Sequence, residues 1–579
     1  MARRWSIGWM LASLSLVGAS FVGVSTASAQ HHGDHSSRLP SATLPPPPLM
    51  KGIGQSSMPI TTDSESAQKF FDQGLNLLHC FWDFEAYRAF KEAIRQDSSA
   101  AMAHWGLFMA LNYNQVELAG ERQAALDAAR RHSAEATERE RRYIAAIGQL
   151  AAHSGRAAQD AYLREMETLV AAYPEDLQAK LLLIKFLVTD AGGTFSDPRT
   201  EEARDAFARA RELLLPLLES HPNHAAVHHY WIHAHEGGPD PSAALESADR
   251  LPQLAPKSGH MLHMPGHIYF KVGLHDKAYA AFQESLAFDR AYMKDQGIDP
   301  VDNWNYVHNL DYLVANCAED GRYREGQRYA QMLHDLPVEL ERSKSVGLGY
   351  IVYGGRTAPA RFHMRYGRWD AAAASLEKGL ASWQFPSQIS ADYVGALLAY
   401  ARGMALFASG NAAQAGPHFQ TLFSVTQKLE QQQAEQGADW YFQAARRVLE
   451  IGAAELVGLL MSSQGQHERA LAELEKAANL EQALGYGEPP HYSRPVQESL
   501  GILYLRVGRW QDARQAFRKV LDERPNSGHA WFGIAKSHEL AGEKAEARRA
   551  YQRLLEVWRH ADRDLPQMQA AQQWLAANL

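Results

Sequence analysis

The chain predicts an all-α fold, a right-handed superhelical solenoid of antiparallel helix pairs, on three observations. At 579 residues it is too long for one ordinary compact core. From about Ala67 onward, apolar residues recur at helical spacing in one segment after another, punctuated by glycine. A unit of 34 residues also recurs in phase along much of that stretch.

Residues 1–29 read as a signal peptide. Arg3 and Arg4 form a positive start, Ile7 to Val24 an apolar stretch, and Ala27-Ser28-Ala29 a small-residue cleavage site. The apolar stretch is close to spanning length, so an uncleaved anchor is the alternative. No other segment approaches a membrane span, and the mature chain is expected in the periplasm or outside the cell.

Residues 30–62 contain HHGDH and the run Pro45–Pro48, have no helical period, and read as a disordered or polyproline-like leader. Cleavage after Ala29 would begin the chain Gln30-His31-His32. An amine, two amides and that third-position imidazole suit square-planar Cu(II) or Ni(II), with a solvated tail as the alternative. Export invites disulfides, yet the two cysteines, Cys80 and Cys317, fall several repeats apart and are expected to pack inside helices.

Residues 63–222 hold the first helical repeats. The unit 67–100 places Gly74, Ala86, Phe90 and Ala93 at positions 8, 20, 24 and 27. Small residues at 8 and 20 let two helices approach closely, while large ones at 4, 11 and 24 fill the space between them. This is the tetratricopeptide (TPR) pattern. Residues 136–222 are helical but out of register, with AGGTFSDP as an inserted loop.

The C-terminal repeats, 341–579, return to the pattern. Units align at 353–386 through Gly367 and Ala372, at 396–429 through Gly403, Gly410 and Phe419, and at 451–484 through Gly458, Gly465 and Ala470. The fit is best at 494–527, with Gly501, Tyr504, Ala513, Phe517 and Pro525, and continues with Trp531, Ala547 and Tyr551.

The central repeats, 223–340, are unusual in composition: nine of the 26 histidines lie between His221 and His267. The units 225–258 and 259–292 follow one another without adjustment. The first puts His229, His233 and Glu236 at positions 5, 9 and 12, and the second puts His260, His263 and His267 at positions 2, 5 and 9. A third unit, aligned on Gly321 after the insertion YMKDQGIDPVDNW, puts His308 and Asp311 at positions 2 and 5. These positions form one stripe along the first helix of each pair, the stripe that lines a TPR groove. Neighbouring first helices lie roughly 8–10 Å apart, so their stripes can converge. His228 and His235 fall at the packing positions 4 and 11 and serve as controls. Pro265, inside the second stripe, removes a backbone donor and is expected to kink its helix.

Imidazoles and carboxylates converging from adjacent helices suit a first-row transition metal, zinc or copper first. Glu236 would then be a ligand or a base for bound water. The first reading of the array is nonetheless a scaffold whose concave groove binds an envelope protein, a peptide or a small ligand, with the histidines shaping its polarity; the metalloprotein is the alternative. No HExxH motif, P-loop or nucleophile elbow is present. The net charge of −8 argues against a nucleic-acid partner.

Between His229 and Tyr279 the segments WIHAHE, ADRLPQLAPKSGH and HMPGHIYFKVGLHDKA resemble a large bacterial family of exported TPR proteins. AMAHWGLFMAL, VHNLDYL and EPPHYSRPVQESLG extend the resemblance over nearly all the mature chain. Its pattern implies histidines at His229 or its neighbour, His233, His260, His263, His267 and His308; a further histidine often stands where this chain has Asp311. The resemblance implies a fold and a site location, not a reaction. The segment Glu488–Tyr492 interrupts the array, either as an ordered loop folded over the groove or as a plain linker.

Overall fold

A computed structural model describes residues 44–111, 119–189, 201–300, 303–337, 348–436 and 440–578. The signal peptide, the Gln30-His31-His32 start and AGGTFSDP lie outside the described residues. Among the described residues all regular structure is helical.

The helices follow one another as antiparallel pairs. The N-terminal pairs are α1 (Glu65–His79) with α2 (Asp83–Gln96), α3 (Ala101–Ala110) with α4 (Ala119–His132), α5 (Glu138–Ala152) with α6 (Gly155–Ala172), and α7 (Leu177–Thr189) with α8 (Glu201–Ser220). The central pairs are α9 (Ala225–Glu236) with α10 (Leu245–Leu254), α11 (Gly259–Lys271) with α12 (His275–Gln296), and α13 (Trp304–Asp320) with α14 (Tyr323–His334). A π-helical segment, Leu348–Arg356, leads into α15 (Ala358–Arg365) with α16 (Trp369–Ser382). Then come α17 (Gln388–Ala408) with α18 (Gly416–Gln436), α19 (Trp440–Ser463) with α20 (His467–Gln482), α21 (Val496–Arg506) with α22 (Trp510–Glu523), α23 (Gly528–Leu540) with α24 (Lys544–Val557), and the closing α25 (Pro566–Ala577). None of the described helices is long and apolar enough to cross a membrane.

The packing rule read from the repeat holds atom by atom. A Cβ on Gly266 would sit 2.2 Å from the Phe282 ring, and one on Gly501 would sit 2.5 Å from the Phe517 ring. The position-8 glycine therefore admits the position-24 aromatic of the partner helix, and the buried aromatic supplies the transfer energy that holds the pair. Gly273 and Gly321 end the first helices of the second and third central pairs at φ +74° and +82°.

Those two turns are also where the array meets itself. Asn526 Nδ2 donates to Gly273 O at 3.0 Å, Asp562 N to Gly321 O at 3.1 Å, and Trp558 Nε1 to Glu319 O at 2.7 Å. Arg365 Nη1 reaches Glu498 at 2.9 Å, its Nη2 and Nε reach Glu319 at 3.0 Å, and Arg524 joins the same carboxylate at 2.9 Å. All four side chains are largely buried. One hydrophobic core consequently runs from Ile53 to Tyr366 and takes in Ala513–Ala571, while a second occupies the residues between.

The leader departs from expectation from Leu44 on. Residues 44–62 are extended but pinned along α1: Met50 N donates to Gln73 at 2.7 Å, Ser56 N to Asn76 at 2.7 Å, and Met58 N to Asp72 at 2.9 Å. Ile53 and Met58 are buried. Polar side chains along one face of α1 satisfy backbone groups that have no helical or sheet partner, which orders a segment with no period of its own. Cys80 and Cys317 are buried free thiols in or beside helices, as the repeat spacing implies.

Candidate metal centre

The sequence stripes on α9, α11 and α13 meet at a buried centre. His229, His233, Glu236, His260, His263 and His267 are all at most 6% exposed. The helix α11 runs unbroken through Pro265.

In each of the first two repeats the histidines at positions 5 and 9 face one another through Nε2. The separation is 3.0 Å between His229 and His233 and 2.7 Å between His263 and His267. Their Nδ1 atoms point the other way, each at an atom that can only accept. His229 meets His79 O at 2.7 Å, and His263 meets Asn309 Oδ1 at 2.7 Å. His233 and His267 both meet Glu236, each at 2.6 Å, on separate carboxylate oxygens. Asn309 is held in that orientation because its Nδ2 donates to Phe282 O at 2.7 Å. Each Nδ1 must therefore carry the hydrogen, and each Nε2 presents a lone pair.

His260 repeats the pattern. Its Nδ1 lies 3.3 Å from Asn305 Oδ1, whose amide is fixed by Asp289 at 2.7 Å, and its buried Nε2 has no hydrogen-bond partner among the described residues. His229, His233 and His260 can each bring one ring nitrogen within 4.8 Å of the other two; so can His263, His267 and His308. Glu236, His267 and Glu488 form a third such group.

Burial, above all, lowers the pKa of His229, His260 and His263 well below the ordinary imidazole value, with neighbouring imidazoles adding to it, and lowers His267 as well. The rings are neutral at physiological pH, the form that binds metal. Burial pushes Glu236 up, but His233 and His267 outweigh it and hold the carboxyl well below its usual range. Burial and the charge of Glu236 raise Glu488.

Asp311 does not join the centre. Its carboxylate pairs with Arg361 at 3.6 Å and remains a quarter exposed. It occupies the position of His229 and His263 in a repeat whose position 9 is Ala315, and the opposing charge comes from the next helix pair instead. The two control histidines behave as packing residues. His228 is satisfied by Ser247 and Pro222 O, both at 2.9 Å, and His235 meets Asp240 O at 3.2 Å and packs tilted against Trp231.

Several components carry no signal in the repeat register. Phe81, between α1 and α2, has φ +53°, stacks on His233 and His260 with ring centroids 5.1 and 5.4 Å away, and tilts against His229 at 4.6 Å. A bulky residue in the left-handed region is strained, and here the strain sets an aromatic roof on three imidazoles. Trp304, from the insertion, lies 5.0 Å from the His260 ring and donates to Phe81 O at 3.2 Å. The 485–494 segment is an ordered lid. Glu488 reaches to 4.0 Å from His308 Nε2, Lys271 sits 5.3 Å over Tyr486, and Arg524 donates to Tyr492 O at 2.9 Å. Of the alternatives for this segment, the loop folded over the groove is the one observed.

A tetratricopeptide-repeat family model matches residues 499–565. No curated protein matches. Among solved structures, the APC/C hetero-tetramer Cut9-Hcn1 is similar at 11% identity, covering 89% of this chain and 90% of that one, with TM-score 0.29. The P58(IPK) TPR domain is similar at 15% identity over 69% of this chain and 99% of that one, TM-score 0.22. Yeast Tom70 is similar at 11% identity over 88% and 95%, TM-score 0.27. The helix-pair packing defines the fold class, an all-α solenoid of TPR-type helix pairs, with the repeat match falling on residues 499–565. Proteins of this class present interaction surfaces built from stacked repeats.

Proposed function

We propose that this is an exported transition-metal-binding protein that uses a TPR array to hold zinc or copper through histidines of its central repeats. One observation carries the reading: paired Nε2 atoms face each other at 3.0 and 2.7 Å while every opposing Nδ1 is committed to an acceptor. Two imidazoles with their Nδ1 hydrogens so committed set lone pair against lone pair in a buried site. A metal ion resolves this, since tetrahedral zinc with Zn–N near 2.0–2.1 Å holds its nitrogens about 3.3 Å apart. Imidazoles whose second nitrogen donates to a carboxylate, carbonyl or amide oxygen have the orientation and basicity of metal ligands. His229, His233, His260, His263, His267 and His308 would hold metal, with Glu236 behind them and Glu488 facing them; the ion would supply Lewis acidity or redox chemistry.

The alternative, a partner protein or peptide in the concave groove, is less favoured at this place. Phe81 and Trp304 pack on the histidines and Glu488 of the 485–494 lid reaches His308, which leaves these imidazoles little surface for a docking chain. The periplasmic or secreted location rests on residues 1–29 alone.

Elemental analysis of the purified full-length protein tests the proposal. The expected result is stoichiometric zinc or copper that disappears from a His229/His233/His263/His267 alanine variant of unchanged helicity. Protein that stays metal-free after incubation with either ion and removal of excess overturns it.

A further inference from the structure

We infer that the centre is binuclear, with one ion in each histidine triad and the two ions unequal in access. This rests on the metal-binding reading above and concerns how many ions are held and which one exchanges ligands.

The repeat register builds both triads alike. His229 and His233 are positions 5 and 9 of one repeat, and His260 is position 2 of the next. His263 and His267 are again positions 5 and 9, and His308 is position 2 of the repeat that follows. The second triad is the first one advanced by one repeat, so the stacking that builds one site builds the other.

The rings on Glu236 set the direction of each triad. His233 and His267 both aim Nδ1 at Glu236, on separate oxygens of one carboxylate. Their Nε2 atoms lie on the far edge of each ring from that carboxylate, each at its own partner, His229 or His263. A single ion cannot lie on both Nε2 pairs. Glu236 instead positions one ligand in each site and places one negative charge between two cations.

The two triads differ in what surrounds them. The first is roofed by Phe81, and Glu236 meets it from behind, at His233 Nδ1. The second triad faces the lid, where Glu488 lies 4.0 Å from His308 Nε2 and its buried Oε1 has no partner among the described residues. The first ion is enclosed by three imidazoles and an apolar ring. The second keeps a position open toward a carboxylate, the arrangement of a metal that binds an exchangeable water or small anion.

The test loads full-length protein with cobalt(II), removes excess ion and counts metal per chain. The expected result is two ions in the wild type, one in His260→Ala, one in His308→Ala and none in the double variant. Azide should shift the visible cobalt bands of the wild type and of His260→Ala, and leave those of His308→Ala unchanged. One ion in the wild type, or loss of all metal from either single variant, overturns the binuclear assignment while leaving metal binding intact. An azide response confined to His308→Ala overturns the assignment of the open site. No ion in the wild type removes the metal-binding reading itself. The wild-type count does not depend on whether any variant folds.

Discussion

Glu236 and His267 belong to successive repeats, and the 2.6 Å contact from Nδ1 to Oε2 links one triad to the other. The second carboxylate oxygen takes His233 at the same distance. Glu236→Gln keeps the shape but replaces one acceptor with an N–H₂ group, leaving one imidazole donor against another donor. Metal retention is expected to weaken 10–100-fold, the usual effect of losing a partner behind a ligand. Competition with a chromophoric chelator measures this, and a variant within twofold of wild type would refute the shared-acceptor role.

Gly266 admits Phe282, whose ring lies 5.0 Å from His263 and 5.1 Å from Tyr312. Gly266→Ala should displace that ring, cost about 1–3 kcal/mol as an overpacked core, and loosen metal with it. Gly395, also within a helix, has nothing within 4 Å of an added Cβ. Gly395→Ala should instead stabilise by up to about 1 kcal/mol. Urea unfolding of both variants gives the comparison, and equal effects would contradict the close-approach argument.

Arg365 stands between Glu319 and Glu498 in the seam where the C-terminal repeats dock. Arg365→Met takes from two buried carboxylates the partner they share, leaving Glu319 with Arg524 and Glu498 with Arg494 at 3.7 Å, and the expected cost is about 3–5 kcal/mol. The loss should fall on the seam, so that α21 to α25 become protease-sensitive before the central repeats. Uniform sensitivity along the chain would show that the network does not close the array.

Burial, aided by the charge of Arg365, lowers His529 to about 4 from an ordinary 6.5. The folded chain therefore keeps this ring neutral, donating to Ala318 O at 3.1 Å, while the unfolded chain takes up a proton below pH 6.5. Stability from this group is fully present above pH 6.5 and is lost as pH falls toward 4, by about 3 kcal/mol at most. His529→Gln cannot titrate there, so its melting temperature should drop less than that of the wild type between pH 7.5 and 5. An identical drop in both proteins would remove His529 from the acid response.

Much of the site was legible because it lies on a local period. His229, His233, Glu236, His260, His263, His267 and His308 share a helix face at three- and four-residue spacing, and the 34-residue unit carries that face from one helix pair to the next. Asp311 fits the same spacing and still points to Arg361, since spacing places a side chain on a face without naming what opposes it. Phe81, Asn309 and Glu488 come from a turn, a third helix and a lid, and no period connects them to the histidines they contact.

The helix pairs, their register and the histidine stripes follow from the order of residues alone. Each depends on residues within one or two turns or one repeat length of each other. Only the tertiary structure decided that the array closes on itself, with Asn526 on Gly273 across 253 residues, and that the leader lies along α1. Closure depends on small rotations summed over many stacked repeats, and the leader on single hydrogen bonds to a distant helix. Neither leaves a periodic trace. The same closure brings Glu488 to His308 and turns an open groove into an enclosed centre.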